Sequence, residues 1–251
     1  MPLLNTATKV YKGTTPVTKI YKGSVQVWSS AGVPPAFVPS DLTGLASWYD
    51  ADDASTFSYS SGSVVSQWRD KSGLSRHLAQ ATVSLQPSRS GVQNSRTTVL
   101  FDGTDDYLDT AAFTLNQPFM VFIALDFNSQ GNQGIFSSVG GNYQTWVGAH
   151  RLGHYAGTTM ELASDLYQGA HVWRFVDNST SSSYYKDEVL MISGNLGTSG
   201  TTTGWRIAER NLTAGYRFKG ELFEIVVYSR ILNSTEISQV ATYLKNKWGT
   251  P

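Results

Sequence analysis

The sequence contains no cysteine, which excludes a disulfide framework, a thiolate nucleophile, a zinc ribbon and an iron–sulfur site, and leaves packing to hold the fold. Neither sign of charge is in excess: Lys+Arg 19 balance Asp+Glu 19, and only 15% of the 251 residues are charged. Nucleic-acid binders concentrate Lys and Arg until the phosphate contacts dominate, so no nucleic-acid partner is expected. The longest apolar run, Phe119 to Leu125, is far below the roughly 18 residues of a membrane-spanning helix, so no membrane insertion is expected. The opening MPLLNTATKVYKG lacks the basic-then-apolar pattern of a secretory signal.

What is present points to strands and turns. Hydrophobic residues make up 40% and aromatics 12%, beside 23 glycines and abundant Ser and Thr, a mixture that favours short strands over long helices. The head carries a repeat: Lys9-Val10-Tyr11-Lys12-Gly13-Thr14 returns as Lys19-Ile20-Tyr21-Lys22-Gly23-Ser24. Each copy is a short strand running into a glycine turn, and Val17, Val25, Val27 and Trp28 supply the returning strands of a small β-meander over residues 1–28. Such a piece is below the roughly 40 residues needed for unaided folding. It packs on its own body, trails as a tail, or assembles with other chains. Residues 29–40, SSAGVPPAFVPS, hold three of the eight prolines and neither secondary-structure period, and read as a linker.

From residue 41 to 251, about ten β-type runs alternate with Gly, Ser, Asn and Asp clusters, which predicts an all-β, antiparallel β-sandwich. His171, Trp173 and Phe175 alternate with Val172, Arg174 and Val176, and the continuous run around Met120 to Leu125 predicts a central strand covered on both faces. One helix closes the chain: Asn233 as N-cap with Glu236 three residues on, then Ile237, Val240, Ala241, Leu244 and Trp248 at helical spacing before Gly249.

Four segments in order resemble the laminin G-like, or concanavalin A-like lectin, jelly roll of phage and bacterial surface proteins: ASWYDADD at Ala46 to Asp53, VVSQWRDKSG ending at Gly73, VLFDGTDDYLDT at Val99 to Thr110, and GELFEIVVYSRILNSTEISQVATYLKNKWG from Gly220. The head is similar to the tandem Tyr-x-Gly-Ser/Thr hairpins that precede variable domains on phage tail or fibre proteins. The resemblance implies a virion protein, assembled in the bacterial cytoplasm and present as a homo-oligomer or in multiple copies. Residues 1–28 would join other virion proteins and the lectin-like body would bind host-surface glycan. The alternatives are a decoration module without ligand and a glycan-active hydrolase.

For the hydrolase, two carboxylates must flank the scissile bond. Glucanases of this fold carry them as E-x-D-x-x-E, a spacing this sequence lacks, and the separation of Glu221 and Glu224 predicts opposite faces of their strand. There is no G-x-S-x-G elbow, and His150 and His154 lack the Glu of H-E-x-x-H. The sequence reading is therefore of a chain that is not an enzyme.

Sugar recognition needs aromatic faces beside polar groups, and Trp146, His150, Tyr155, Trp173, Trp205, Arg206 and Tyr216 flank turn-rich segments and are the glycan candidates; Trp48, Trp68 and Trp248 belong to the core. No cofactor is required. Ca²⁺, which relatives of this fold bind, has candidate ligands in two acidic clusters, with Asp50, Asp53, Asp105 and Asp106 foremost. The same aspartates are ordinary turn-capping residues, so both roles stay open.

Overall fold

The computed structural model describes residues 10–12, 15–17, 19–22, 25–29, 36–128, 131–148, 151–163, 169–210 and 216–251, in two compact units, Met1–Val38 and Pro39–Pro251. In the first unit each copy of the repeat pairs with the strand that follows it. Strand β1 (Val10–Lys12) pairs with β2 (Thr15–Val17), and β3 (Lys19–Lys22) with β4 (Val25–Ser29), each an antiparallel hairpin.

The second unit is an antiparallel β-sandwich whose strands close on themselves. They are β5 (Leu45–Asp50), β6 (Phe57–Ser61), β7 (Val64–Trp68), β8 (Leu78–Ala79), β9 (Ser88–Gln93), β10 (Arg96–Asp102), β11 (Leu108–Thr110), β12 (Phe119–Phe127), β13 (Gln133–Ser138), β14 (Gln144–Gly148), β15 (Arg151–Tyr155), β16 (Thr159–Ala163), β17 (Gly169–Asp177), β18 (Ser182–Lys186), β19 (Val189–Gly194), β20 (Trp205–Ile207) and β21 (Lys219–Tyr228), followed by helix α1 (Ser234–Trp248). The back layer runs β19, β18, β17, β12 and β21, and the far edge of β21 is shared by β10 along its first half and β5 along its second. The front layer runs β16, β15, β14, β13, β20, β11, β8 and β7.

Strand β12 shows why the sequence folds this way. Its register places Met120, Phe122 and Ala124 on the outer face, beside Val176, Arg174 and Val172 of β17 and Tyr228, Val226 and Glu224 of β21. On the inner face Phe119 meets Tyr143 and Trp205 of the front layer at 5.4 and 6.0 Å between ring centroids. Phe175 and Tyr184 close on His154 at 5.3 and 5.1 Å. The outer face is covered by α1, which buries Val240, Leu244 and Trp248. The two-faced burial predicted for this run is what the helix and the front layer together produce.

The helix begins as its sequence dictates. The Asn233 side chain accepts from the N–H groups of Thr235 and Glu236, Glu236 accepts from the Asn233 N–H, and Gly249 ends the helix at φ 65°. Its seat is Glu224, fully buried on β21. One oxygen of Glu224 accepts from Trp48 Nε1 at 2.7 Å and from the Tyr243 hydroxyl at 2.8 Å. The other accepts from Trp248 Nε1 at 2.8 Å and faces Lys247 Nζ at 2.8 Å. Burial and the adjacent Asp50 push the Glu224 carboxyl above its ordinary range, while Lys247 pulls it back.

A β-bulge at Phe223 overturns one expectation. Ala124 faces Glu224 while Leu125 faces Leu222 and Asp126 faces Glu221, so the extra residue brings Glu221 and Glu224 to the same side of the sheet rather than to opposite faces. Glu224 remains fully buried beneath α1.

Candidate functional site

The glycan candidates do not converge. Trp205 is fully buried, 4.6 Å from Phe136 and 5.6 Å from Tyr143 between ring centroids, and Trp173 is 3% exposed. Both fill the interior between the layers and offer no face to a sugar, which corrects the expectation for them. A sandwich of this size needs such volume in its core. Trp146 is only 6% exposed: it lies against Gly153, its partner on β15, where any Cβ would fall 2.3 Å from the indole, and the Arg210 guanidinium stands 3.7 Å from its ring. Arg210 is fixed by Gln144 at 2.6 Å and lies 5.0 Å from the Tyr216 ring. Tyr155 is half-buried at the end of β15, and His150 lies outside the described residues. Arg206 is committed to Asp109 by two hydrogen bonds of 2.8 and 2.6 Å and to Glu209 at 2.9 Å, over the ring of Tyr107.

The calcium candidates divide. Asp50 is buried with one oxygen 2.5 Å from Lys247 Nζ and the other 3.0 Å from Lys71 Nζ, and Asp53 pairs with Lys71 at 2.8 Å while capping a short 3-10 turn. The Lys71 ammonium holds the Asp53 carboxyl down to about 2. Ammonium groups take the coordination that a cation would need, so Asp50 and Asp53 are corrected to structural counter-ions. Asp105 and Asp106 do come together, with Asp102 as the third member: one carboxylate oxygen from each lies within 4.8 Å of the others. Burial, then the nearby Asp102 and Asp105, raise the Asp106 carboxyl to about 6, against the pull of an N–H from Asp102. Converging carboxylates with one desolvated member suit a hard cation.

A concavity lies on the outer face of the back layer, where the sequence placed no candidate. It is a groove of about 450 Å³ between α1 and the β18–β19 turn. Its floor is Val172 and Arg174 of β17, one wall is Ser234, Ile237, Ser238, Ala241, Thr242 and Lys245 of α1, and the other is Asp187 and Glu188. Arg174 is 5% exposed; it grips both oxygens of Glu188 at 3.0 and 2.7 Å and stacks on Tyr185 at 3.6 Å. Glu188 holds φ 64° next to Asp187 at 48°, a left-handed pair that this grip on Arg174 helps to offset. Asp187 accepts from the Val172 N–H at 3.0 Å and meets His171 Nδ1 at 2.6 Å. Beyond the helix, Thr250 and Pro251 close one end. The hydroxyl stripe Ser234, Ser238, Thr242 was visible as an i, i+4, i+8 spacing; the turn that faces it comes from a separate hairpin and had no local signal.

A further polar group lies between the layers. Tyr143 donates its hydroxyl to Asp177 at 2.8 Å, and the other Asp177 oxygen stands 3.6 Å from His154 Nε2; His154 and Asp177 are fully buried. Burial raises the Asp177 carboxyl to about 8 and lowers His154 to about 3.

This geometry defines an antiparallel β-sandwich with an outer helix, and solved structures share its fold. The chain is similar to Trypanosoma rangeli sialidase in complex with sialic acid, with a TM-score of 0.57 and 14% identity over 88% of this chain and 35% of the sialidase. It is also similar to domain 4 of AbnA, a GH43 extracellular arabinanase from Geobacillus stearothermophilus, in complex with arabinotriose (TM-score 0.55, 12% identity, 78% of this chain and 98% of that domain). A third likeness is to a structure of botulinum neurotoxin type C whose cell entry depends on two ganglioside molecules (TM-score 0.55, 10% identity, 84% and 55%). The chain spans about a third of the sialidase's length. No protein-family profile and no curated protein matches it. These likenesses overturn the reading of the chain as not an enzyme: its fold occurs within a sialidase chain and as a domain of an arabinanase.

Proposed function

We propose that the second unit is a laminin G-like, glycan-binding domain of a phage virion protein, with the groove between α1 and the β18–β19 turn as its glycan site and residues 1–28 as the attachment to other virion proteins. The observation that carries the glycan reading is the groove: aliphatic side chains, hydroxyls and an Arg–carboxylate grip line one concavity, a combination suited to the C–H faces and hydroxyls of a sugar. A domain of the same fold solved in complex with arabinotriose supports it. The four sequence segments and the repeated head support the virion placement. Multiple copies on a particle would turn weak single sites into firm attachment. Asp102, Asp105 and Asp106 are the proposed Ca²⁺ ligands.

The test is binding of the full chain to host cells and to a glycan array. Saturable binding that is lost in Thr242→Trp, which fills the groove from an exposed helix position, is the expected result. Binding untouched by that substitution would place the site elsewhere, and no binding by a folded chain would refute the glycan reading. For the head, deletion of residues 1–28 should leave soluble body that no longer enters particles; normal incorporation would refute the attachment role.

A further inference from the structure

We infer that the groove selects an oligosaccharide bearing a carboxylate, with Lys245 as the recognition charge. The inference rests on the glycan reading above and specifies the ligand. Among the described residues four ionisable side chains line the groove, and three are committed: Arg174 and Glu188 to each other, and Asp187 to His171 and to the Val172 N–H. Lys245 makes no ion pair among the described residues, and it is exposed on the last turn of α1.

From Lys245 toward the start of α1 run the hydroxyls of Thr242, Ser238 and Ser234, spaced along one helical face. Val172, Ile237 and Ala241 give the apolar surface for the ring C–H groups. The groove's volume of about 450 Å³ lies within the range of small-ligand sites. Among the described residues no aromatic ring lines it, so selection comes from the ammonium and the hydroxyls rather than from stacking. An ammonium acts as a compact point charge, which suits one carboxylate on a flexible sugar.

The experiment uses the full chain and an array that carries glycans ending in hexuronic acid beside the same glycans with the carboxylate reduced to the primary alcohol. The acidic member of each pair should bind at least about tenfold more tightly, the size of one charge-assisted contact. Lys245→Gln should abolish the difference while leaving the weaker, neutral binding in place. The preference should also fall in high salt, as expected for a solvent-exposed charge. Equal binding of both members, lost in Thr242→Trp, would overturn the charge assignment and leave the glycan site standing. A preference that survives Lys245→Gln would likewise overturn it. Absence of binding to every member would overturn the glycan reading and this inference with it.

Discussion

Replacing Glu224 with glutamine keeps the shape of the side chain and removes half of its accepting capacity. The carboxylate serves Trp48 Nε1 and Tyr243 through one oxygen and Trp248 Nε1 and Lys247 through the other. In the amide one of these oxygens becomes an NH₂ group, and whichever way it turns, one indole N–H loses its acceptor in a fully buried place. Lys247 retains Asp50 and the Tyr243 hydroxyl, and the hydroxyl can rotate to accept. An orphaned buried donor costs about 1–3 kcal/mol, and losing the charge-assisted character of the remaining bonds adds to it, so Glu224→Gln should cost ~3 kcal/mol. For a domain of this size that lowers Tm by about 6–12 °C. The assay is urea unfolding followed by tryptophan fluorescence, to which Trp48 and Trp248 contribute among the seven tryptophans. Glu224→Ala, which removes all four contacts, should cost more, about 3–5 kcal/mol as for a broken buried ion pair. If Glu224→Gln shifts stability by less than ~0.5 kcal/mol, the size of a surface substitution, the helix is not seated by this carboxylate and the reasoning fails.

Three further outcomes follow from the structure. Asp177, raised to about 8, keeps its proton in the folded state after the unfolded chain has released it, so this residue lowers stability as pH rises from about 4 to 8; His154, lowered to about 3, lowers stability as pH falls from about 6.5 to 3. Between about 4 and 6.5 folded and unfolded states each hold one proton on the pair, so its contribution is flat there, and above 6.5 stability declines by at most ~1.4 kcal/mol per pH unit up to about 8. Asp177→Asn should remove the alkaline decline and expose an acidic one below 6.5; a pH profile unchanged by that variant would refute the pairing. Ca²⁺ should raise Tm relative to EDTA, because a ligand that binds only the folded state stabilises it, and Asp106→Asn should remove the difference; equal Tm in both buffers eliminates the metal site. Trp205→Ala should cost about 3–5 kcal/mol as a core cavity, whereas a loss below 1 kcal/mol would contradict its place among Phe113, Phe119, Phe136 and Tyr143.

The elements that follow from local pattern were legible. The run from Phe119 to Leu125 could only be a strand covered twice, and the Asn233–Glu236 capping box with its apolar stripe could only be a helix with one buried face; the structure contains both. Trp48, Trp68 and Trp248 are buried as expected. The bulge at Phe223 was not legible, because a register shift is set by pairing with β12 and Ala51 rather than by residues 221–224: the Phe223 carbonyl accepts from the Ala51 N–H at 3.0 Å. Period-2 counting therefore assigned Glu221 to the wrong face.

The site was harder to read for a related reason. An aromatic flanked by turn residues looks the same in sequence whether its ring faces solvent or the opposite layer, and which face a strand presents is decided by its partners. Trp173 alternates with Arg174, so one of them had to face inward. The apolar ring was the better candidate for burial, and Arg174, with its guanidinium gripping Glu188, became the floor of the groove. The same alternation that hid the tryptophan thus placed the arginine. A functional reading of such a strand should start from its polar members, because on a face covered by a helix they persist only where a partner satisfies them. Arg174 of β17 and Asp187 and Glu188 of the β18–β19 turn meet that condition from two separate points of the chain, which is why no local motif announced them.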